Sequence, residues 1–305
     1  MRCLSETSAL IVHAPAKLNL FLQVLGKRPD GYHELDTLMV SVGIYDSLRF
    51  TEEPSGGIEL RCRDAGSFSR RDTDRGQTLT TGEDNLVVRA ARLIQESTGT
   101  RRGARIELCK RIPLAAGLGG GSSDAAATLV GLNRLWKLGL SSPELHALAA
   151  RLGSDVNFFL SPTPLARCRG RGEQIEPLRL PITLHFVIAR PRTGLSTVQV
   201  FKHCRPESTM PSANDLADRL SRGDLSKAGK LLHNTLQAPA EQLNDEVLEL
   251  KHTFDRLPFL GHQMSGSGTS YFGLCANLDH ASRLAARVRA ESPADYFVTA
   301  ATCSP

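Results

Sequence analysis

Pro113-Leu114-Ala115-Ala116-Gly117-Leu118-Gly119-Gly120-Gly121-Ser122-Ser123-Asp124 is the stretch from which the fold and the chemistry of this chain are read. It follows a segment with Ile106 and Leu108, predicted as a strand that Pro113 ends. It precedes a helical pattern that turns Leu129, Leu132 and Trp136 inward. Glycines permit φ > 0 and close approach of the backbone to a ligand, so consecutive N–H groups can converge on an anion. The helix that follows adds its unpaired N–H groups and about half a positive charge at the same spot. The stretch therefore predicts a phosphate cradle; a merely flexible glycine-rich turn is the competing reading, and the strand-to-helix setting argues against it. No Gly-Lys-Ser/Thr follows, so this is not a Walker loop. Ser122 stands where the third glycine of Gly-x-Gly-x-x-Gly would fall, and Gly-x-Ser-x-Gly is missing.

Further out, Met264-Ser265-Gly266-Ser267-Gly268-Thr269-Ser270 is a second glycine-serine loop ahead of an apolar strand. Alone it reads equally well as a plain turn. Two such loops, one in each half, could close on one substrate from opposite sides. Leu18, Leu20, Leu22 and Val24 alternate, the signature of a half-buried strand that puts Lys17 and Asn19 together on its other face. An exposed strand lysine is ordinarily only solvated. Gly153-Ser154-Asp155-Val156-Asn157 sets a lone carboxylate past a helix end, and a capping role and a catalytic role are equally good readings of it.

Helices are predicted over 84–97, capped by Asp84, and from a Ser141/Glu144 capping box to Gly153. In the second half a strand (Leu184, Phe186, Ile188), a helix over 245–254, an extended segment over 270–275 and a helix over 281–290 follow. Strands and helices mix in both halves, and two domains are expected, 1–165 and 166–305. The boundary is marked by Ser161-Pro162-Thr163-Pro164 and the Arg/Gly-rich 167–172.

Composition narrows the function. The 305 residues carry 37 Lys plus Arg and 32 Asp plus Glu, net +5, and are 41% hydrophobic, an ordinary globular balance long enough to divide into two cores. No apolar run approaches the ~18 residues of a membrane span, nor is there a signal-peptide core, so a cytosolic protein away from membranes is expected. Seven widely spaced cysteines without a Cys-x-x-Cys pair read as reduced structural thiols. Aromatic residues are only 5%, too few to interleave with a basic stripe, so nucleic acid is not the expected partner. A small phosphorylated substrate suits the mild positive charge better.

With these residues in place, the chain resembles a known family. Pro15-Ala16-Lys17-Leu18-Asn19-Leu20-Phe21-Leu22, Asp30-Gly31-Tyr32-His33-Glu34-Leu35, the 117–123 loop, Gly153-Ser154-Asp155-Val156, Arg169-Gly170-Arg171-Gly172-Glu173 and Met264-Ser265-Gly266-Ser267-Gly268 are similar to the motifs of the 4-diphosphocytidyl-2-C-methyl-D-erythritol kinases. These form a family of the GHMP kinase superfamily, and the likeness spans 13–275. The glycine loop marks the superfamily; Pro-Ala-Lys-Leu-Asn-Leu with Asp-Gly-Tyr-His marks the family.

The resemblance implies an α+β architecture of two domains, an N-terminal ATP-binding domain with a left-handed β-α-β unit and a C-terminal ferredoxin-like domain. The implied reaction is ATP-dependent phosphorylation of the 2-hydroxyl of a substrate with a cytidine diphosphate moiety, in non-mevalonate isoprenoid synthesis. It places the ATP phosphates on the loop from Pro113 to Ser123 and makes Lys17 and Asp155 the catalytic pair. Tyr32 and Phe201 would flank the cytosine with His33 and Lys202 as polar partners. Asn19 would meet the methylerythritol hydroxyls, and Gly266 and Gly268 would also line the substrate. Mg²⁺ is expected with ATP, with Ser123 read equally as its ligand and as a helix cap. Asn157 stands where the family has proline, which implies a looser turn at Asp155. His233-Asn234-Thr235-Leu236-Gln237 matches the family's Asn-Asp-x-Glu only in part. A mevalonate- or homoserine-type GHMP kinase would lack Asp30-Gly31-Tyr32-His33. A non-catalytic nucleotide-binding protein on the same fold would not need Lys17 and Asp155.

Overall fold

The computed structural model describes residues 1–5, 9–64, 80–205 and 212–305. The chain folds as two compact units, one made of Met1–Ala16, Ile44–Leu114 and Gly119–Leu160, the other of Lys17–Gly43, Ala115–Leu118 and Ser161–Pro305. One passage between them falls at 160–161, beside the Ser161-Pro162-Thr163-Pro164 stretch; the others run inside two long strands and through the glycine-rich loop.

In the first unit, β1 (Arg2–Ser5) pairs antiparallel with the start of β2 (Leu10–Lys27). The chain continues through β3 (His33–Glu53), β4 (Ile58–Asp64), α1 (Leu86–Thr98) and β5 (Gly103–Lys110). β4 and β5 are parallel neighbours, a pairing that requires a crossover, and α1 is carried on it. Residues 47–53 of β3 pair antiparallel with the other edge of β5. The cap of α1 is Asn85, not Asp84 as the sequence suggests: Asn85 holds the extended backbone of a capping residue, and its Oδ1 accepts from Val87 N–H at 2.8 Å. α1 buries Val87, Val88, Ala90, Ala91, Leu93 and Ile94.

α2 (Gly120–Leu135) lies directly on β3 at Gly131, where an added Cβ would stand 2.6 Å from the Phe50 ring. α3 (Ser142–Leu152) starts on the expected box, with the Glu144 carboxylate accepting from both the Ser141 hydroxyl (2.6 Å) and the Ser141 N–H (2.7 Å). Those two bonds hold the Glu144 carboxyl below its ordinary range. A 3₁₀ turn, Asn157–Leu160, ends the unit.

In the second unit, residues 35–40 of β3 pair antiparallel with β6 (Leu165–Gly170), which pairs in turn with β7 (Gln174–Leu178). Residues 167–170 are thus strand, and Arg167 grips Asp36 through two parallel hydrogen bonds of 2.8 and 2.6 Å. There follow β8 (Leu184–Arg190), α4 (Thr197–His203), α5 (Ala213–Ser221), α6 (Leu225–Gly229), β9 (His233–Asn234), α7 (Gln237–Leu243) and α8 (Asp245–Asp255). β10 (Gly261–Met264), β11 (Tyr271–Cys275), α9 (Leu278–Glu291) and β12 (Phe297–Cys303) complete the chain. Four of these strands form an antiparallel sheet in the order β10-β11-β8-β12, the arrangement of a ferredoxin-like domain. Its core packs Val187, Tyr271, Leu250, Phe254, Leu284 and Val288 with Leu22 and Val24 of β2.

β2 departs from the half-buried expectation. Lys17, Asn19 and Phe21 are as buried as Leu18, Leu20 and Leu22, so both faces of this segment are closed. None of the seven cysteines, all of them among the described residues, is joined in a disulfide. Among the described residues, no helix is long and apolar enough to cross a membrane.

Candidate active site

Burying Lys17 and Asn19 obliges their polar atoms to find partners, since an unpaired buried amide or ammonium is costly. In the second unit, Lys17 Nζ donates to Asn19 Oδ1; Asn19 Nδ2 donates to Thr37 Oγ1 at 2.9 Å, and Thr37 Oγ1 donates to the Phe21 carbonyl at 2.6 Å. The backbone is pinned as well: Lys17 N–H donates to Leu118 O (2.9 Å), and Asn19 N–H donates to Ser265 Oγ (3.3 Å). Ser265 Oγ donates onward to Gly117 O (3.0 Å), and Ser270 N–H donates to Ala116 O (3.1 Å). The segment 115–118 and the loop 265–270 are therefore laced to each other and to the Lys17 strand.

Two glycines set how closely they approach. Gly117 lies at φ +72°, and a Cβ there would stand 2.1 Å from Ser265 O. Gly266 lies at φ +58°, and a Cβ there would stand 3.2 Å from Lys17 Nζ. Gly117→Ala combines backbone strain with a clash against main chain. It is expected to lower the unfolding free energy by more than about 1 kcal/mol and to weaken ATP binding, measured by denaturant titration and calorimetry.

The second loop is held from behind by the segment that matches the family only in part. Asn234 Nδ2 donates to the carbonyls of Met264 and Gly266, each at 2.8 Å, while its Oδ1 accepts from Leu236 N–H at 2.9 Å. Gln237 Oε1 accepts from Met264 N–H at 3.0 Å, and its amide donates to Tyr271 Oη at 3.1 Å. Asn234 and Gln237 thus hold the backbone of the second loop, contacts that their residue types alone do not expose.

In the first unit, the remainder of the glycine loop opens α2. Gly119 is the N-cap, at φ +70°. Ser123 sits inside the first turn, so the capping reading of Ser123 is corrected; its buried Oγ has no hydrogen-bond partner among the described residues. Beneath this turn lies a buried triad. Lys110 Nζ donates to Asp46 Oδ2 and to Asp124 Oδ2 (2.7 Å), and Asp46 Oδ1 accepts from the N–H groups of Arg111 and Ile112. Burial pushes the Asp124 carboxyl up to about 7 against the pull of Lys110. Burial alone would lower the Lys110 ammonium, but Asp124 and Asp46 outweigh it and hold it raised. A Cβ on Gly120 would stand 3.1 Å from Lys110 Nζ, so the glycine lets the helix start directly on the ion pair.

Asp155 also belongs to the first unit, in the turn between α3 and the 3₁₀ segment. Asn157 opens the 3₁₀ segment that follows that turn. Its side chain is buried and shares a 3.0 Å hydrogen bond with His146 Nδ1, and Phe159 N–H donates to Val156 O at 3.2 Å.

The residues expected at a base-binding site gather in the second unit. Tyr32 N–H donates to Asp30 Oδ1 (3.1 Å), and Arg28 N–H donates to Tyr32 O (2.8 Å), closing a turn at Gly31. The Tyr32 ring is exposed and lies 4.8 Å beneath the Arg171 guanidinium. His33 and Phe201 stand ring to ring at 4.8 Å, and burial together with Lys27 lowers the His33 imidazole below its ordinary pKa. Lys202 is exposed beside them in sequence, and Gly268 lies at φ +91° in the second loop.

Comparison with known proteins meets this geometry. The model of the GHMP kinases N terminal domain matches residues 85–161, and that of the GHMP kinases C terminal matches 216–294. The 4-diphosphocytidyl-2-C-methyl-D-erythritol kinase of Pelotomaculum thermopropionicum is 42% identical over 279 residues, 90% of this chain and 92% of its own. That of Symbiobacterium thermophilum is 42% identical over 91% of this chain and 95% of its own. A crystal structure of 4-(cytidine 5'-diphospho)-2C-methyl-D-erythritol kinase superposes with a TM-score of 0.78 at 35% identity, covering 97% of this chain and all of that one. Identity of this extent across both halves, on the fold and loops described, makes the chain a GHMP kinase of the 4-diphosphocytidyl-2-C-methyl-D-erythritol kinase family.

Proposed function

We propose that the protein transfers the γ-phosphoryl group of ATP to the 2-hydroxyl of 4-diphosphocytidyl-2-C-methyl-D-erythritol, a cytosolic step of non-mevalonate isoprenoid synthesis. The observation that carries this is the match to kinases of that name over nine-tenths of both chains. Residues 1–165 supply the phosphate loop, the catalytic pair, Asn19, Tyr32 and His33, and residues 166–305 supply Phe201, Lys202, Gly266 and Gly268. Neither nucleic acid nor a membrane takes part.

Phosphoryl transfer passes through a loose transition state, so catalysis is mostly positioning and charge stabilisation. The main-chain N–H groups of 117–123 and the start of α2 hold the ATP phosphates, with residues 113–116 shaping the approach. Positive φ at Gly117 and Gly119 suits a backbone turned toward an anion. Asp155 accepts the proton of the substrate hydroxyl as its oxygen bonds to phosphorus and the bond to ADP breaks. Lys17, its ammonium set by Asn19, stabilises the charge on the transferred group. Tyr32 and Phe201 hold the cytosine, His33 and Lys202 meet its polar edge, and Asn19, Gly266 and Gly268 face the rest of the substrate. A His33 kept neutral by burial can donate from one ring nitrogen and accept at the other. Mg²⁺ would be held at the first turn of α2 with the buried Ser123 hydroxyl, which has no hydrogen-bond partner among the described residues, as a ligand, and it would supply neutralisation of phosphate charge.

A coupled ADP-release assay with a panel of alcohols tests this. Turnover with the cytidine substrate and none with mevalonate or homoserine is expected. Turnover with either of the latter in its place, or ATP binding without turnover, contradicts it.

A further inference from the structure

We infer that Thr37 is a positioning residue for phosphoryl transfer, because its hydroxyl fixes which end of the Asn19 amide faces Lys17. The inference rests on the proposed catalytic role of Lys17. Lys17, Asn19 and Thr37 are all buried, so no bulk water competes for their polar atoms. Thr37 has one hydroxyl proton and spends it on the Phe21 carbonyl at 2.6 Å. Its oxygen then presents only lone pairs to Asn19, 2.9 Å away, and only the NH₂ end of that amide can donate there. The carbonyl end of Asn19 is thereby turned to Lys17, where it accepts from Nζ. With the amide reversed, its NH₂ would face an ammonium and its oxygen would face the lone pairs of Thr37, two repulsive contacts in place of two bonds.

The chain Phe21 O, Thr37 Oγ1, Asn19 and Lys17 Nζ thus has a single consistent direction. Gly266 limits the freedom of its end, since even a Cβ there would come within 3.2 Å of Nζ. Thr37 reaches no substrate in this scheme; it acts by holding the ammonium in one place. It lies on β3, sixteen positions beyond Phe21, and its residue type alone predicts only a good strand former.

The test is a double-mutant cycle with steady-state kinetics on the full chain. Thr37→Val keeps the shape and removes both hydrogen bonds. It is expected to lower kcat by about 10- to 100-fold with KM for ATP unchanged within about twofold, the cost of a misplaced catalytic group. Thr37→Ser, which restores the hydroxyl, is expected to recover kcat to within a few-fold. On a Lys17→Met background Thr37→Val is expected to cost nothing further. If Thr37→Val does not fold, Thr37→Cys, of similar size but a weak donor and acceptor, is read in the same way. Wild-type kcat in Thr37→Val, or an equal loss with and without Lys17, overturns the inference while leaving the proposed function standing. Wild-type kcat in Lys17→Met overturns the inference together with the catalytic role on which it rests.

Discussion

Asp155→Asn is expected to lower kcat by roughly 10²- to 10⁴-fold while KM for ATP and for the cytidine substrate changes little. An alcohol is a poor nucleophile until its proton has somewhere to go, and the amide of asparagine matches the carboxylate in shape without accepting that proton. The turn that carries residue 155 is tied by contacts other than the carboxylate. It is closed by backbone hydrogen bonds and by the His146–Asn157 contact, so the variant should keep its geometry. Single-turnover and steady-state kinetics together separate loss of chemistry from loss of binding. Near-normal turnover in the variant removes Asp155 from the mechanism.

Lys110→Met is expected to destabilise the protein by about 3–5 kcal/mol, the usual consequence of removing one partner from a buried ion pair. Methionine fills the space of the lysine stem but leaves Asp46 and Asp124 facing each other without a cation. Burial already pushes Asp124 up to about 7 with the ammonium present. Without it, the Asp124 carboxyl, buried beside Asp46, titrates still higher in the folded than in the unfolded chain. The folded state then binds more protons, so stability falls as pH rises above the unfolded carboxylate range. Urea titrations at pH 5 and pH 8 are expected to show the larger loss at pH 8. Equal loss at both values would mean that the Asp124 carboxyl does not titrate between them. The triad lies under the first turn of α2, so the same variant is expected to bind ATP more weakly at pH 8.

What the sequence shows and what it hides follow from distance along the chain. The glycine loop is legible because all of its parts, a strand, glycines and a helix start, lie within a dozen residues. The Ser141–Glu144 box and the alternation of β2 and β8 are equally local. The cap of α1 is misread by one residue because Asp84 and Asn85 are both good caps, and only the backbone angles at Asn85 decide between them. The burial of Lys17 and Asn19 is not legible: alternation marks one face of β2 as apolar, and nothing nearby shows that the second loop closes the other. Lys110 looks like an ordinary strand end, since its partners Asp46 and Asp124 stand 64 and 14 positions away. Asn234 and Gln237 are hidden for the same reason, as their role appears only when β9 and α7 lie against the 264–266 backbone. The family resemblance supplies the expected roles of Tyr32, His33, Phe201 and Lys202; their local pattern alone predicts a turn and a short helix.

A crystal structure of the protein with a non-hydrolysable ATP analogue tests the central claim most directly. The triphosphate is expected against the main-chain N–H groups of residues 117–123 at the start of α2, with the γ-phosphate in reach of Lys17. A triphosphate lodged elsewhere on the molecule, with that loop unengaged, would contradict it.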